Sequence, residues 1–150
     1  MTVHRYHARC EWTGSTGAGY EGYERTHVVT APPAAAELRL SADPAFLGDP
    51  DLLDPEQLLV IAASSCQLLS FLALAARARV DVVAYEDQAE GTMDESDAPA
   101  RVQRIVLRPR IAAPGASEQR VRKLVEQAHR LCYIANSVTS EIAIEPRIET

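Results

Sequence analysis

Apolar and polar positions change period several times along the chain. Near the start, Tyr6, Ala8, Cys10 and Trp12 alternate with His7, Arg9 and Glu11, the period of two of a half-buried strand. Residues 14–19 read as a turn and residues 20–30 as a second strand, so a hairpin is expected. Pro32 and Pro33 end it, residues 37–40 offer a short third strand, and residues 41–54 read as a loop of Pro, Gly and Asp. Asp54, Pro55 and Glu56 mark a helix start: an N-cap, a proline at the first helical position and an acid in the first turn. No residue from Gln57 to Ala76 is charged, and Arg77 and Arg79 suit the end of that helix. Residues 80–93 read as β-rich, 94–100 as a turn and 101–112 as a strand alternating Ile105, Leu107 and Ile111 against arginines. Ser117 caps a second helix with Val121, Leu124, Val125, Ala128 and Leu131 on one face; Asn136 is its expected stop. Ile142, Ile144 and Ile148 make a last strand. The order β-β-β-α-β-β-α-β, with no repeat and no linker, predicts a single α+β domain over residues 1–150 and not a doubly wound parallel sheet.

The apolar helix is long enough for a membrane span. It contains Ser64, Ser65, Gln67 and Ser70, however, and stands alone in a chain of mean hydropathy -0.13. A helix buried on all sides is the expectation, with no membrane partner.

Composition narrows the function classes. With 47% hydrophobic and 24% charged residues the chain is of ordinary globular usage. A length of 150 residues buries enough surface to fold without disulfides or metals. The net charge of -6 argues against nucleic acid as a partner. The basic residues are all Arg except Lys123, and they are scattered. The first twelve residues do not read as a secretory signal, and three cysteines are an odd count, so a reducing, cytoplasmic setting is expected.

Those cysteines are the candidate chemistry. Cys10 shares its strand face with Tyr6 and Trp12, where core packing is its expected role. Cys66 lies mid-way along the apolar helix, and Cys132 follows His129 at helical spacing. Buried inert thiols, a Cys–His hydrolase or thiol transferase using His129, and redox chemistry all remain open on the residues alone. The only metal-like spacing is that of His4 and His7, on a strand-like stretch, so no metal or cofactor is expected.

Residues 40–49 (LSADPAFLGD), 54–59 (DPEQLL) and 62–66 (AASSC) together resemble the OsmC/Ohr family of thiol peroxidases. Residues 128–137 (AHRLCYIANS) resemble that family's second cysteine motif, and residues 12–14 and 22–27 also fit. The resemblance implies antiparallel sheets around a long central buried helix in an intertwined homodimer. It also implies reduction of organic hydroperoxides, with Cys66 as the peroxidatic thiol and Cys132 as the resolving thiol. Glu56 matches the family's glutamate, and Arg25, or else Arg39, its activating arginine. A dithiol reductant, a lipoyl protein or a small thiol, is implied as partner. A non-enzymatic dimer binding an apolar ligand on the same fold is the further alternative.

Overall fold

The computed structural model describes residues 1–150. The chain forms two compact units, Met1–Leu58 and Leu59–Thr150. In the first, β1 (Arg9–Glu11), β2 (His27–Thr30) and β3 (Glu37–Leu40) form an antiparallel sheet in that order. Cys10 stands opposite Val29, and Val29 opposite Leu38. The strand expected over residues 6–12 is shorter than its pattern, and its apolar side lies open. Tyr6 is 89% exposed, Trp12 40%, and Cys10 is exposed instead of packed in a core. Alternation records which side chains share a face, not whether anything within the chain covers it. The second expected strand is also trimmed. A 3-10 turn occupies Tyr20–Gly22, and the Glu24 carboxylate accepts bonds from the amides of Arg25 (3.0 Å) and Thr26 (3.1 Å). Those local bonds compete with ladder pairing until His27.

The long helix α1 (Pro55–Arg77) begins where its signals placed it. The Gln57 amide donates to Asp54 Oδ1 (2.8 Å), and the Asp54 amide donates to Gln57 Oε1 (3.1 Å). This reciprocal box satisfies two otherwise orphaned donors. The helix is unbroken, but it is not buried on all sides. Ala63, Gln67, Phe71 and Ala75, spaced by four, form one buried stripe. Ile61, Leu69 and Leu72, on another face, are 48%, 63% and 38% exposed. A charge-free composition does not distinguish a face that is packed from one that is merely apolar. By length and hydropathy alone α1 would also pass for a membrane span.

In the second unit, each of the three remaining expected strands splits in two. β4 (Ala84–Asp87) and β5 (Glu90–Met93) come from the first, β6 (Val102–Leu107) and β7 (Pro109–Ala112) from the next, β8 (Glu141–Ile144) and β9 (Arg147–Glu149) from the last. The pieces assemble as two sheets, β4-β7-β9 and β5-β6-β8. The pairs β6–β8 and β7–β9 are parallel, the others antiparallel. The breaks have local causes. The Arg108 amide donates to Asp87 Oδ1 (2.6 Å) instead of to a strand, and Pro146 has no amide to give. With each split pair counted once, the expected element order stands, and the chain is α+β.

Ser117 accepts from the Arg120 amide (3.3 Å) and starts α2 (Glu118–Leu131). Val121, Val125 and Ala128 bury one face of it against Phe71 and Ile111. A second core gathers Ala63, Val102, Ile105 and Leu107. The helix stops at Leu131 with Cys132 as its cap, before the expected Asn136, which lies in a 3-10 turn (Ala135–Ser137).

Candidate functional site

Cys66 is half-buried in the middle of α1, and Cys132 is 1% exposed at the end of α2. The second unit brings the two thiols together, both reduced. Burial opposes ionisation of each. At Cys66 other contacts outweigh it. The neighbouring amides of Ile134 and Tyr133, the Cys132 thiol and the Ser70 hydroxyl favour its charged form and hold this thiol below the ordinary cysteine value. At Cys132 burial prevails. The Ala135 amide donates to its sulfur (3.5 Å), yet the neighbouring Cys66 sulfur adds to burial and pushes the thiol up. The turn after α2 thus places backbone amides near both sulfurs. The result is one thiol biased toward thiolate and its neighbour biased toward thiol. Sequence reasoning expected a guanidinium to lower Cys66; the groups that lower it here are amides, a thiol and a hydroxyl.

The first unit builds a cavity of about 460 Å³. Trp12, Tyr23 and Phe46 supply aromatic walls, and Arg25, His27 and Glu56 supply polar groups. Arg25 is tightly held. It donates to the carbonyls of Tyr23 (2.6 Å) and Tyr20 (2.5 Å), and its guanidinium lies 4.0 Å from the Tyr23 ring centroid and 4.8 Å from that of Tyr20. Such stacking fixes the plane of the charge. Arg25 and Glu56 line the same cavity without an ion pair between them, because carbonyls hold the guanidinium. Arg39 stands opposite Val28 in β3, exposed, and does not line the cavity. Cys10, expected as core, does line it.

His129 makes no side-chain hydrogen bond to either sulfur; its Nδ1 is buried without a partner, and the residue lines two surface cavities with Arg130 and Ile142. Ser70 and the amides of residues 133–135 are the functional groups that sequence reasoning missed. Ser70 carried a faint signal, four residues after Cys66 on one helix face. Backbone amides carry none.

Comparison with known proteins identifies the family and the fold. The family model described as OsmC-like protein matches residues 48–147. No curated protein matches the chain. Among solved structures, an OsmC-like protein of unknown function from Vibrio cholerae is 30% identical, with a TM-score of 0.86 over 96% of this chain and 99% of that one. An organic hydroperoxide resistance protein from Elizabethkingia anophelis is 17% identical, with a TM-score of 0.74 over 99% and 98%. The organic hydroperoxide resistance protein OhrB of Bacillus subtilis is 14% identical, with a TM-score of 0.63 over 99% and 100%. With two thirds of its length matched by the family model, the chain belongs to the OsmC-like family.

Proposed function

We propose that the protein is a thiol peroxidase that reduces organic hydroperoxides to alcohols. The observation that carries this reading is the pairing of two free thiols, Cys66 midway along α1 and Cys132 buried at the end of α2, with Cys66 held below the ordinary cysteine value and Cys132 above it. The Cys66 thiolate attacks the distal peroxide oxygen, the O–O bond breaks, and the alkoxide leaves and takes a proton as an alcohol. Cys66 is then a sulfenic acid. The Cys132 thiol condenses with it, forming the disulfide and releasing water, before further oxidation can occur. A dithiol reductant, a lipoyl protein or a small thiol, returns both cysteines to thiols and becomes a disulfide itself. The apolar neighbours of Cys66 on α1, Leu68 and Leu69 among them, favour an organic peroxide over hydrogen peroxide. Arg25 and Glu56 complete the site in this reading, with a homodimer as the working unit and the reducing cytoplasm as its setting. The organic hydroperoxide resistance proteins of Elizabethkingia anophelis and Bacillus subtilis support the reading through their shared fold.

A count of free thiols before and after one equivalent of tert-butyl hydroperoxide tests it. Two of the three thiols should disappear and return with dithiothreitol. Undiminished thiols would leave the chain as a binding module, and turnover of an ester without disulfide formation would make it a hydrolase.

A further inference from the structure

The cavity of the first unit holds a nucleophile that the pair of Cys66 and Cys132 does not use. Cys10 is exposed, reduced and part of the lining. On β1 it stands opposite Val29, so His27, two residues along the same face of β2, is its diagonal neighbour across the ladder. Diagonal pairs of an antiparallel sheet lie about 7–8 Å apart, within reach of an aromatic ring. Both residues border the same cavity.

The His27 ring is oriented for proton transfer. Its Nδ1 lies 2.8 Å from the Arg25 carbonyl. A carbonyl only accepts, so Nδ1 carries the hydrogen and, in the neutral ring, Nε2 carries the lone pair. A thiol and an imidazole so placed are the first two parts of an activated nucleophile. The cavity also has hydroxyl donors to spare. Ser41 lines it while 0% exposed, and its Oγ accepts from the Asp49 amide (3.0 Å), which leaves its own hydrogen to give. Thr16 adds a second hydroxyl.

The rest of the wall decides what can enter. A volume of about 460 Å³ suits a small molecule. Trp12, Tyr23 and Phe46 offer it aromatic surface. Trp12 is held in place: its Nε1 donates to the Glu24 carbonyl (2.7 Å), and its ring meets that of Tyr23 edge-on at 6.2 Å. Arg25 is one cation against the carboxylates of Asp43 and Glu56, so the wall does not attract anions. The ligand that fits is uncharged and has an apolar body. It places an acceptor oxygen on a hydroxyl and a carbon open to attack beside the thiol. A conjugated enone or enal has both in one planar group.

We propose that this cavity is a modification site for uncharged α,β-unsaturated carbonyl compounds of apolar body, and that Cys10 is the residue modified. The Cys10 proton passes to His27 Nε2. The sulfur bonds to the β carbon, the carbon–carbon π pair shifts toward the carbonyl oxygen, and Ser41 or Thr16 donates to the enolate oxygen that forms. The imidazolium then returns the proton to the α carbon. The product is a thioether. No group leaves, and no oxidant or reductant enters. The step uses neither Cys66 nor Cys132, so it stands apart from the peroxidase reading.

The probes are benzylideneacetone, an uncharged aryl enone, its para-carboxylate, and benzylacetone, the saturated ketone that cannot add. Trp12 is the only tryptophan of the chain, so its fluorescence reads occupancy of the cavity directly. Benzylacetone should change that fluorescence saturably, and to the same extent in Cys10→Ser; no saturable change overturns the proposal. Peptide mapping of the reduced protein after brief exposure to benzylideneacetone should find Cys10 modified at least about tenfold faster than in a synthetic peptide of residues 6–14. The para-carboxylate should lose most of that advantage. His27→Asn keeps a donor for the Arg25 carbonyl and removes the base. Its Cys10 should react about tenfold slower or worse, while benzylacetone still shifts Trp12 fluorescence. A Cys10 no faster in the protein than in the peptide, an equal advantage for the two enones, or an unchanged rate in His27→Asn each overturns the proposal.

Discussion

Cys66 and Cys132 differ in what surrounds them, and that difference can be measured. Iodoacetamide reacts with thiolate, so labelling of Cys66 should rise at lower pH than that of an unperturbed cysteine, and labelling of Cys132 at higher pH. The sign for catalysis follows. Peroxide consumption should climb as pH rises through the lowered Cys66 pKa and then level, and Ser70→Ala should move that midpoint upward. A midpoint in the ordinary cysteine range would remove the thiolate bias from the mechanism. Cys66→Ser should abolish consumption outright. Cys132→Ser should allow one oxidation and then drive Cys66 to sulfinic and sulfonic acid, visible by mass spectrometry. The identity of the two cysteines was legible in the sequence because each sits in a run of specific neighbours. What biases them was not, because amides of residues 133–135 have no side-chain signature. Cys10 was misread for a related reason: its period-two pattern describes a face, and in this chain that face carries an open cavity.

At the level of elements, the signals with a local mechanism were the readable ones. Asp54 and Ser117 each start a helix through a bond that the sequence itself implies, and both helices begin there. Asp54→Ala should cost about 1 kcal/mol in a urea titration, since the Gln57 amide loses its acceptor. Phe71 is the larger test. It is fully buried where α1, α2 and β7 meet, and its ring lies 5.8 Å from that of Tyr85. Phe71→Ala should cost about 3–5 kcal/mol, and a loss below about 1 kcal/mol would mean that the core collapses around the gap. The split strands were not readable. Alternation continues across Arg108 and across Glu145–Pro146, while the pairing partner changes, and it is the amide of Arg108 bonding to Asp87 that marks the first break. The helix face was half readable: composition marked α1 as apolar all round, but only the stripe from Ala63 to Ala75 is packed.

At the scale of the whole molecule, that other stripe sets the last prediction. Ile61, Leu69 and Leu72 lie within one face of α1 and stay exposed, a costly arrangement for a surface helix in water. Glu56 and Cys66 are ten residues apart on this unbroken helix, which puts them about 15 Å apart along its axis and about 80° apart around it. A glutamate side chain does not span that distance, so Glu56 cannot serve its own chain's Cys66 along α1. A two-fold axis near Ile61, with the helices of two protomers antiparallel, would cover the exposed stripe and set each Glu56 level along the axis with the other protomer's Cys66. The predicted particle in light scattering is therefore twice the 16.4 kDa chain mass; a particle of one chain mass at micromolar concentration rules the arrangement out. Complementation tests the shared site directly. Glu56→Ala and Cys66→Ser proteins, unfolded and refolded together, should give heterodimers in which one site combines the intact Cys66 of one chain with the intact Glu56 of the other. Random pairing puts half the dimers in that class with one working site each, so about a quarter of the natural activity should return. Activity no higher than that of the better parent would place Glu56 and Cys66 in service of the same chain.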